Sequence, residues 1–135
     1  MKDQLDSVRC FHEVFQAYME RTPTAKVPAE ISQGRIQMFL EELEEYRAAV
    51  HNHDIVEIAD ALTDMLYVLL GTFITHGLQD IAEELFAEVH RSNMSKLDEQ
   101  GKPIFREDGK VLKSDQFSDP DLRSIIAKSG QVESG

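Results

Sequence analysis

The sequence predicts an all-α protein: a helical bundle of four main helices, followed by a short hairpin and a short final helix. Three observations support this prediction. Apolar residues recur at spacings of three and four in four separate segments, which is the period of a helix. No segment before about residue 97 alternates apolar and polar side chains as a half-buried strand does. Short clusters of proline, glycine, asparagine and aspartate separate the segments, as is typical of loops.

The first two helices are predicted on either side of a loop that contains two prolines, at residues 21–30. The first helix runs from about Leu5 to Glu20, and its apolar stripe consists of Leu5, Val8, Phe11, Phe15 and Tyr18. The second helix begins near Glu30 or Ser32 and ends near Asn52, and its apolar line consists of Ile36, Phe39, Leu40, Leu43 and Val50. Both stripes are expected to face the core.

The third and fourth helices follow, with the hairpin and the final helix after them. The third runs from about Ile55 to His76 and is apolar on almost every side, which is typical of a buried helix. Asp54 is its expected N-cap and Gly77 its expected C-cap. The fourth runs from about Leu78 to Leu97. An Asp-Gly pair between short extended runs predicts a hairpin within residues 101–113, and a Ser-Asp-Pro run predicts a helix start at residues 118–120.

Length and composition indicate one domain over residues 1–128, with a flexible tail at residues 129–135. The formal net charge of −11 disfavours a nucleic-acid partner, because such a surface repels phosphate backbones. The single cysteine, Cys10, fits a reducing compartment, and the N-terminus lacks the apolar segment of a signal peptide. The longest apolar run contains Asp64 and is too short to span a bilayer. We therefore expect a cytoplasmic protein with no membrane partner.

Acidic residues on the second helix are grouped in an unusual place. At 100° per residue, Glu41, Glu42 and Glu45 fall within a sector of about 100° opposite the apolar line. Met38 and Ala49 lie one turn before and one turn after these acids, so the sector borders apolar side chains. Like charges at such spacings repel by about 0.2–0.5 kcal/mol per pair. Their grouping here indicates a function as well as a solvated face.

The third helix carries a second acidic stripe. Glu57, Asp60 and Asp64 lie at i, i+3 and i+7, within about 60° on the helical wheel, and Val68 and Gly71 continue the stripe. The helix dipole accounts for acids near the N-terminus, but it does not account for Asp64. Because a buried carboxylate needs a cation, a proton or a hydrogen bond, two facing acidic helices predict an oxygen-lined cage. Such a cage suits Mg²⁺, with Mn²⁺ as a substitute.

Other metal sites fit the sequence less well. A di-iron site of the ferritin-like kind needs Glu-x-x-His pairs on two helices, and the sequence contains none. A zinc site normally needs several cysteines or clustered histidines, whereas this chain has one cysteine and scattered histidines. The sequence therefore favours a hard divalent cation.

The two acidic stripes together resemble a known signature. Glu42-Leu-Glu-Glu45, preceded by Glu41 and followed by Glu57-Ile-Ala-Asp60, is similar to the Glu-Glu-x-x-Glu and Glu-x-x-Asp pattern of the all-α NTP pyrophosphohydrolases. That superfamily includes MazG-like proteins, dimeric dUTPases and phosphoribosyl-ATP pyrophosphohydrolases. The segments ADALTDMLYVLLGTFITHG and EVHRSNMSKLDEQGKPIFREDGKVLK resemble those of MazG-like and dUTPase-like members. The resemblance covers about residues 8–126.

The resemblance implies roles for particular residues. The implied metal ligands are Glu42, Glu45, Glu57 and Asp60. Glu41 would complete the cluster, either as a ligand or as the group that polarises the attacking water. A second metal, or a carboxylate such as Glu41 or Glu45, would activate that water, so these two residues are the catalytic candidates. Asp64 lies outside the minimal signature, and we expect it to support the ligands or to act as an extra one. The resemblance also implies a homodimer or homotetramer in which a second subunit completes the bundle.

The resemblance also implies contacts with a nucleotide substrate. Asn93 and Lys96 are similar to the substrate-contacting pair of these proteins: an amide can read a base or sugar, and an ammonium can hold a phosphate. The alternative for Lys96 is a surface lysine favoured by the helix dipole. Lys110 and Lys113 on the hairpin are candidates for closing over the phosphates. Arg35 could also reach a phosphate, although no motif supports it.

We therefore expect a Mg²⁺-dependent enzyme that cleaves a (deoxy)nucleoside triphosphate, such as dUTP or another non-canonical nucleotide, to the monophosphate and pyrophosphate. Two alternatives remain open. A phosphoribosyl-ATP pyrophosphohydrolase shares the acidic signature but fits the VHRSNMSK segment and the hairpin poorly. A non-catalytic helical module would bind metal without releasing pyrophosphate. The chain lacks a Walker A loop and a Gly-x-Ser-x-Gly motif, so neither ATP-driven work nor a covalent step is expected.

Overall fold

The computed structural model describes residues 1–133, with the side chains of residues 131–133 left out, and it confirms the predicted all-α class. The only sheet within these residues has two short strands. In chain order the elements are α1 Lys2–Phe15, α2 Ala29–His51, α3 Ile55–Thr75, α4 Ala82–Met94, β1 Ile104–Phe105, β2 Val111–Leu112 and α5 Leu122–Glu133.

The chain divides into two compact units, Met1–Asp80 and Ile81–Gly135. In the first unit, α1 and α2 both pack on α3. In the second unit, α4 packs on α5, and β1 pairs with β2. The boundary at residue 128 and the flexible tail at residues 129–135 stay predictions. The tail lies partly outside the described residues, which show α5 continuing to Glu133.

Helix α1 ends at Phe15, five residues before its predicted end. Gln16 adopts a left-handed conformation, with φ 58° and ψ 37°, and this turns the chain away from the helix axis. Beyond the turn, the N–H of Glu20 donates to the carbonyl of Ile74 at 3.2 Å, which holds the loop against α3. The predicted inward stripe is also only partly confirmed. Leu5, Val8 and His12 are buried, whereas Phe11 and Phe15 are 42% and 67% exposed.

The buried side of α2 differs from the predicted apolar line. Arg35 and Glu42 are half-buried and Ala49 is fully buried, and these three residues are spaced by seven, so they share one face of the helix. Four residues of the predicted core line are exposed instead: Ile36, Leu40, Leu43 and Val50. Polar interactions with α3 therefore determine which face of α2 is buried, and this face is not the most apolar one.

Helix α3 begins and ends where the sequence predicts. Asp54 caps its N-terminus, because its Oδ1 accepts hydrogen bonds from the N–H groups of Val56 at 3.0 Å and Glu57 at 3.2 Å. Gly77 follows its C-terminus with φ 71°. The expected burial on every side is only partly present, since Leu62, Leu66 and Leu69 are among its exposed residues. The buried residues of α3 are Ala61, Leu70, Gly71, Ile74 and Thr75.

Helix α3 is also the one described helix that is long and apolar enough, by length and composition alone, to cross a membrane. The core helix of a soluble protein passes the same test. The expectation of no membrane partner therefore stays a prediction.

Two helices of the second unit begin later than the sequence predicts: α4 at Ala82 and α5 at Leu122. A 3₁₀ turn at Gln79–Ile81 precedes α4, so the helix begins at Ala82. The hairpin is confirmed, with Ile104 opposite Leu112 and Phe105 opposite Val111. Helix α5 begins at Leu122 because Asp121 caps it: its Oδ1 accepts from the Ser124 N–H at 3.1 Å.

Replacing Gly77 tests the turn that ends α3. A Cβ at this position would lie 2.1 Å from the carbonyl oxygen of Thr22. We expect Gly77→Ala to lower the free energy of unfolding by about 2 kcal/mol or more, because the left-handed conformation alone costs a non-glycine residue about 1–2 kcal/mol. Urea unfolding measures the change.

Gly34→Ala is the matched control for this test. Gly34 lies within α2, and a Cβ there would meet nothing within 4 Å. Because glycine weakens a helix interior, this variant should gain about 0.5–1 kcal/mol. Equal effects of the two substitutions would contradict the role assigned to Gly77.

Candidate metal and nucleotide site

Three carboxylates from two helices meet beside the α2–α3 contact. Glu42 and Glu45 of α2 and Asp64 of α3 each place one oxygen within 4.8 Å of the others. Glu42 and Asp64 are half-buried, and Glu45 is exposed. The three-residue turn at residues 52–54 brings α2 and α3 together as neighbours, which allows these acids to converge. These three residues are termed the acid cluster.

Burial and mutual repulsion change the proton affinity of the acid cluster. Burial is the main cause that raises the pKa of Glu42 above its ordinary value, followed by Glu45, Asp64 and Asp60. Burial, then Asp60 and Glu45, also raises the pKa of Asp64. In addition, the buried Oε2 of Glu42 has no hydrogen-bond partner among the described residues. The cluster therefore holds concentrated negative charge that the described part of the chain does not compensate.

The donor set fits a hard divalent cation. All the converging donors are carboxylate oxygens, which Mg²⁺, Mn²⁺ and Ca²⁺ prefer over softer ligands. A cation at this point would supply the partner that the buried Glu42 oxygen lacks, and it would offset the repulsion between the carboxylates. The cluster is thus able to bind metal, as the two acidic stripes predict.

The structure gathers some of the predicted ligands and adds one. Glu42 and Glu45 belong to the acid cluster, and Asp60 is close enough to raise the pKa of Glu42 and of Asp64. Asp64, expected to be accessory, is a full member. Glu57 is not, and it precedes Asp64 by seven residues, or about 10.5 Å along the helix axis. Glu57 as a ligand therefore stays a prediction.

The predicted catalytic residue Glu41 also lies beside the cluster. Its side chain is exposed, and its Oε1 accepts a hydrogen bond from Gln37 Nε2 at 3.3 Å. Glu41 and Glu42 both line the same cavity. Glu41 can therefore approach a substrate or a water molecule in that cavity without direct membership of the acid cluster.

Arg35 connects the two acidic helices one to two turns away from the cluster. Its Nε donates to Thr72 Oγ1 at 3.0 Å, and its Nη2 donates to the carbonyl of Val68 at 2.6 Å. Burial lowers the pKa of this guanidinium from its ordinary value. Gly71 provides the space for this arrangement, since a Cβ there would lie 2.5 Å from Arg35 Nη2.

His12 lies beside Arg35 and is buried. Its Nδ1 is 3.2 Å from the carbonyl oxygen of Tyr18. Because a carbonyl oxygen only accepts, the proton of the neutral ring belongs on Nδ1. Burial is the main cause that lowers the pKa of His12; the hydrogen bond with Tyr18 raises it, and Arg35 lowers it. His12 therefore adds no charge to this region at neutral pH.

A cavity of about 260 Å³ opens between these groups. Phe11 and Phe15 stack with ring centroids 4.4 Å apart, and Tyr67 meets Phe11 edge-on at 5.7 Å. The residues that line this cavity, termed the aromatic cavity, are Phe11, His12, Arg35, Met38, Glu41, Glu42, Tyr67 and Val68. A neighbouring cavity of about 270 Å³ shares three of them: His12, Arg35 and Met38. Their sizes approach the roughly 300–1,000 Å³ of small-molecule sites.

The four predicted substrate-binding residues belong to the second unit. Asn93 is exposed on α4, and Lys96 follows two residues after the end of that helix. Lys110 is exposed in the hairpin turn. The ammonium of Lys113 lies 4.4 Å from the ring centre of Phe117. The roles of these four residues toward the acid cluster stay predictions.

Comparison with known families now identifies the reaction class. Residues 8–93 match the family model described as phosphoribosyl-ATP pyrophosphohydrolase, which is more than half of the chain. The chain belongs to the phosphoribosyl-ATP pyrophosphohydrolase family. This family is part of the MazG-like all-α NTP pyrophosphohydrolase superfamily, so the resemblance seen in the sequence is confirmed. No curated protein matches the chain.

Membership of the phosphoribosyl-ATP pyrophosphohydrolase family makes the protein a hydrolase of phosphoanhydride bonds, and specifically a nucleotide pyrophosphohydrolase. The matched residues contain the whole acid cluster and the whole aromatic cavity. They end at Asn93, before Lys96 and the hairpin.

Sequence patterns point only weakly to some residues at the site of this family member. Tyr67 and Met38 read as ordinary apolar positions, and His12 carried no motif. The one sequence feature that points to them is Gly71, a glycine inside an apolar helix, which often marks close packing. It lies on the same stripe as Asp64, and it admits both Arg35 and His12.

The raised pKa values predict how stability depends on pH without metal. Below about pH 4, near the ordinary pKa of an aspartate or glutamate, the carboxyls are protonated in both states. As pH rises toward the raised pKa values of Glu42 and Asp64, the folded state holds more protons, so the free energy of unfolding should fall. Urea unfolding in a chelator measures this fall, and saturating Mg²⁺ should remove it.

Two variants isolate the acid cluster from the general charge of the protein. Glu42→Gln should make the pH-dependent fall in stability smaller. Glu44→Gln removes an equal charge from the same helix, but Glu44 is exposed and pairs with Arg47 at 3.3 Å. That variant should retain the fall in the free energy of unfolding as pH rises. If wild type and Glu42→Gln follow parallel curves, the raised pKa of Glu42 does not govern this dependence.

Proposed function

We propose that this protein is a Mg²⁺-dependent enzyme that cleaves a (deoxy)nucleoside triphosphate to the monophosphate and pyrophosphate. The candidate substrates are dUTP and other non-canonical nucleotides. The observation that carries the proposal is the acid cluster of Glu42, Glu45 and Asp64 beside the aromatic cavity. Family membership supplies the reaction class, and the cavity supplies a place for the base.

The proposed ligands are the acid cluster and Asp60. Asp60 joins the set because it is one turn before Asp64 and raises the pKa of both half-buried acids. When bound, Mg²⁺ would neutralise phosphate oxygens and the charge that develops on the leaving pyrophosphate. Mn²⁺ is the expected substitute, because it accepts the same oxygen ligands.

Glu41 and Glu45 are the proposed proton acceptors. A water molecule that attacks a phosphorus atom must lose a proton, and a carboxylate within hydrogen-bond reach can take it. Glu41 lines the cavity, is exposed, and is held by Gln37 at 3.3 Å. Glu45 is the exposed member of the acid cluster. Both carboxylates therefore have access to solvent water beside the phosphate chain.

The aromatic cavity is proposed to hold the base. Phe11, Phe15 and Tyr67 are all more than one-third exposed although they are large aromatic residues. Stacking of a base on an aromatic side chain contributes about 1–3 kcal/mol. A nucleotide with its phosphates at the acid cluster would place its base against Phe11 and Tyr67, and Tyr67 is about one turn along α3 from Asp64.

Phosphoribosyl-ATP is the second candidate substrate, and the family description favours it. This substrate carries a further phosphate on its second ribose, which needs its own cation. Among the described residues that line the aromatic cavity, Arg35 is the one cation, and two of its nitrogens are already bonded to α3. The cavity thus supports a nucleotide with a single phosphate chain better.

Asn93, Lys96, Lys110 and Lys113 of the second unit are proposed to bind the substrate. Asn93 and Lys96 would contact the sugar or base and a phosphate, and Lys110 and Lys113 would close over the phosphate chain. The support for this proposal is chemical: a protein with a formal net charge of −11 needs cations besides the metal if it binds a triphosphate. Lys110 is an exposed cation on a hairpin whose turn contains Gly109 at φ 90°.

A homodimer or homotetramer is the proposed assembly. The apolar lines of α2 and α3 that the sequence places in the core are exposed in the single chain, including Leu40, Leu43, Leu62 and Leu66. Exposed apolar lines of this length normally mark an interface.

A cytoplasmic location, with neither nucleic acid nor membrane as partner, is also proposed. The formal net charge of −11 and the exposed Cys10 support it.

The first experiment is a nucleotide panel. Canonical nucleoside triphosphates, dUTP, other non-canonical nucleotides and phosphoribosyl-ATP are incubated with and without Mg²⁺, and pyrophosphate release is separated from phosphate release. We expect Mg²⁺-dependent pyrophosphate release from a nucleoside triphosphate. Release from phosphoribosyl-ATP alone would select the second candidate. Release of phosphate without pyrophosphate would contradict both.

A pair of substitutions on α3 tests the ligand set. Asp64→Asn should lower kcat by at least about 100-fold, because it removes charge where transition-state charge is stabilised. Glu57→Gln should change kcat less than about threefold if the acid cluster defines the metal site. Steady-state kinetics at saturating Mg²⁺ give both values. The reverse pattern would restore Glu57 as the ligand and remove Asp64.

Self-association has its own test. Static light scattering should give at least twice the 15.4 kDa mass of one chain at working concentration. Leu43→Asp, which places a charge on the exposed line of α2, should shift the protein toward the monomer. A monomeric wild type would remove the proposed assembly.

A further inference from the structure

We propose that Arg35 reads a keto oxygen of the substrate base, and that the enzyme therefore prefers nucleotides whose base presents a keto group over those that present an amino group at the same position. This inference rests on the proposed function, and it assigns the specificity-determining residue of the same site. It is carried by the way Arg35 is held at the edge of the aromatic cavity.

The guanidinium of Arg35 has donors to spare. Nε and Nη2 are bonded to Thr72 Oγ1 and to the Val68 carbonyl, whereas Nη1 forms no hydrogen bond among the described residues. The buried side-chain atoms that lack a partner there are Glu42 Oε2 and Gln79 Oε1, so Nη1 is not enclosed by protein. Arg35 lines both the aromatic cavity and the neighbouring cavity, and the proposal places Nη1 toward a molecule in the aromatic cavity.

The absence of a carboxylate partner is notable in so acidic a chain. The formal net charge is −11, yet among the described residues Arg35 makes no ion pair, unlike Arg9, Arg47, Arg91 and Arg106. A half-buried guanidinium without a carboxylate normally has another acceptor to meet. The carbonyl of Val68 and the hydroxyl of Thr72 orient Arg35 without neutralising it.

Close packing and two hydrogen bonds restrain the guanidinium group of Arg35. A Cβ on Gly71 would lie 2.5 Å from Arg35 Nη2 and 2.8 Å from His12 Nε2, so glycine is what lets both side chains rest on α3. A group held by two hydrogen bonds and by close packing loses little further entropy on binding a ligand. Arg35 is therefore a pre-positioned donor and not a flexible surface cation.

The position of Arg35 favours the base over the phosphates. The phosphate chain belongs at the acid cluster, and the Val68 carbonyl that anchors Arg35 is one turn, about 6 Å, beyond Asp64. The rings of Phe11 and Tyr67 line the same cavity as Arg35. The Nε–Nη2 edge, which grips phosphate in bidentate fashion, is already occupied by α3. One free nitrogen suits a single carbonyl oxygen.

The chemistry of the donor then sets the preference. A guanidinium has five N–H donors and no acceptor. A keto oxygen accepts from it, as in uracil or hypoxanthine. An amino group in the same place, as in cytosine or adenine, also presents N–H donors, so it forms no hydrogen bond with the guanidinium. Discrimination between bases by such contacts is typically about tenfold or more.

Matched pairs of nucleotides test the inference with the wild-type protein. The ratio of kcat/KM is measured for dUTP against dCTP and for dITP against dATP, in saturating Mg²⁺. We expect the keto member to be favoured at least about tenfold in each pair that is hydrolysed. A ratio near one, or a preference for the amino member, would overturn the inference. Hydrolysis of none of the four would instead count against the proposed function itself.

Two variants assign the preference to Arg35. Arg35→Met should bring the keto-to-amino ratio close to one, mainly because the keto substrate loses kcat/KM. Thr72→Val is a milder change, because it removes the hydroxyl that accepts from Arg35 Nε and keeps the charge of Arg35. It should lower the keto-to-amino ratio less than Arg35→Met does. Circular dichroism melting and Mg²⁺ binding confirm that each variant is folded. An equal loss for both members of a pair would show that Arg35 contacts the phosphates or only supports the fold.

Discussion

The half-burial of Glu42 against Asp64 is the constraint on which the rest of the first unit depends. Two carboxylates brought close to each other and away from water repel, and their pKa values rise. The folded chain keeps this arrangement at a cost to its own stability, because one buried oxygen of Glu42 has no hydrogen-bond partner in the described part of the chain. A divalent cation reverses the sign of the interaction. The arrangement is therefore unfavourable for the chain alone, and a bound divalent cation would make it favourable.

The same helix contact explains where the apolar residues go. Helix α2 turns Arg35 and Glu42 toward α3. There Gly71 leaves space for the arginine, and the Val68 carbonyl accepts a hydrogen bond from it. This orientation leaves Leu40 and other apolar residues of α2 on the outside. The acid cluster, the aromatic cavity and the exposed apolar lines are thus three consequences of one polar helix contact.

Much of this could be predicted from the sequence. Helix periodicity, the cap at Asp54, the turn at Gly77 and the hairpin were all readable, because they depend on local preferences. The acidic stripes indicated a metal cage for the same reason. The convergence of Asp64 with Glu42 and Glu45 could not be predicted, since it depends on how far α2 overlaps α3. The exposure of Phe11 also depends on tertiary packing, which buries His12 in its place.

The most direct test of this account is the number of protons released when Mg²⁺ binds. Calorimetric titration at about pH 5.5 in two buffers of different ionisation enthalpy gives that number, because metal displaces the protons held by its ligands. The raised pKa values of Glu42 and Asp64 predict measurable proton release, with less release from Glu42→Gln. Binding without proton release, or release unchanged in Glu42→Gln, would contradict the central claim that these half-buried carboxylates form the metal site.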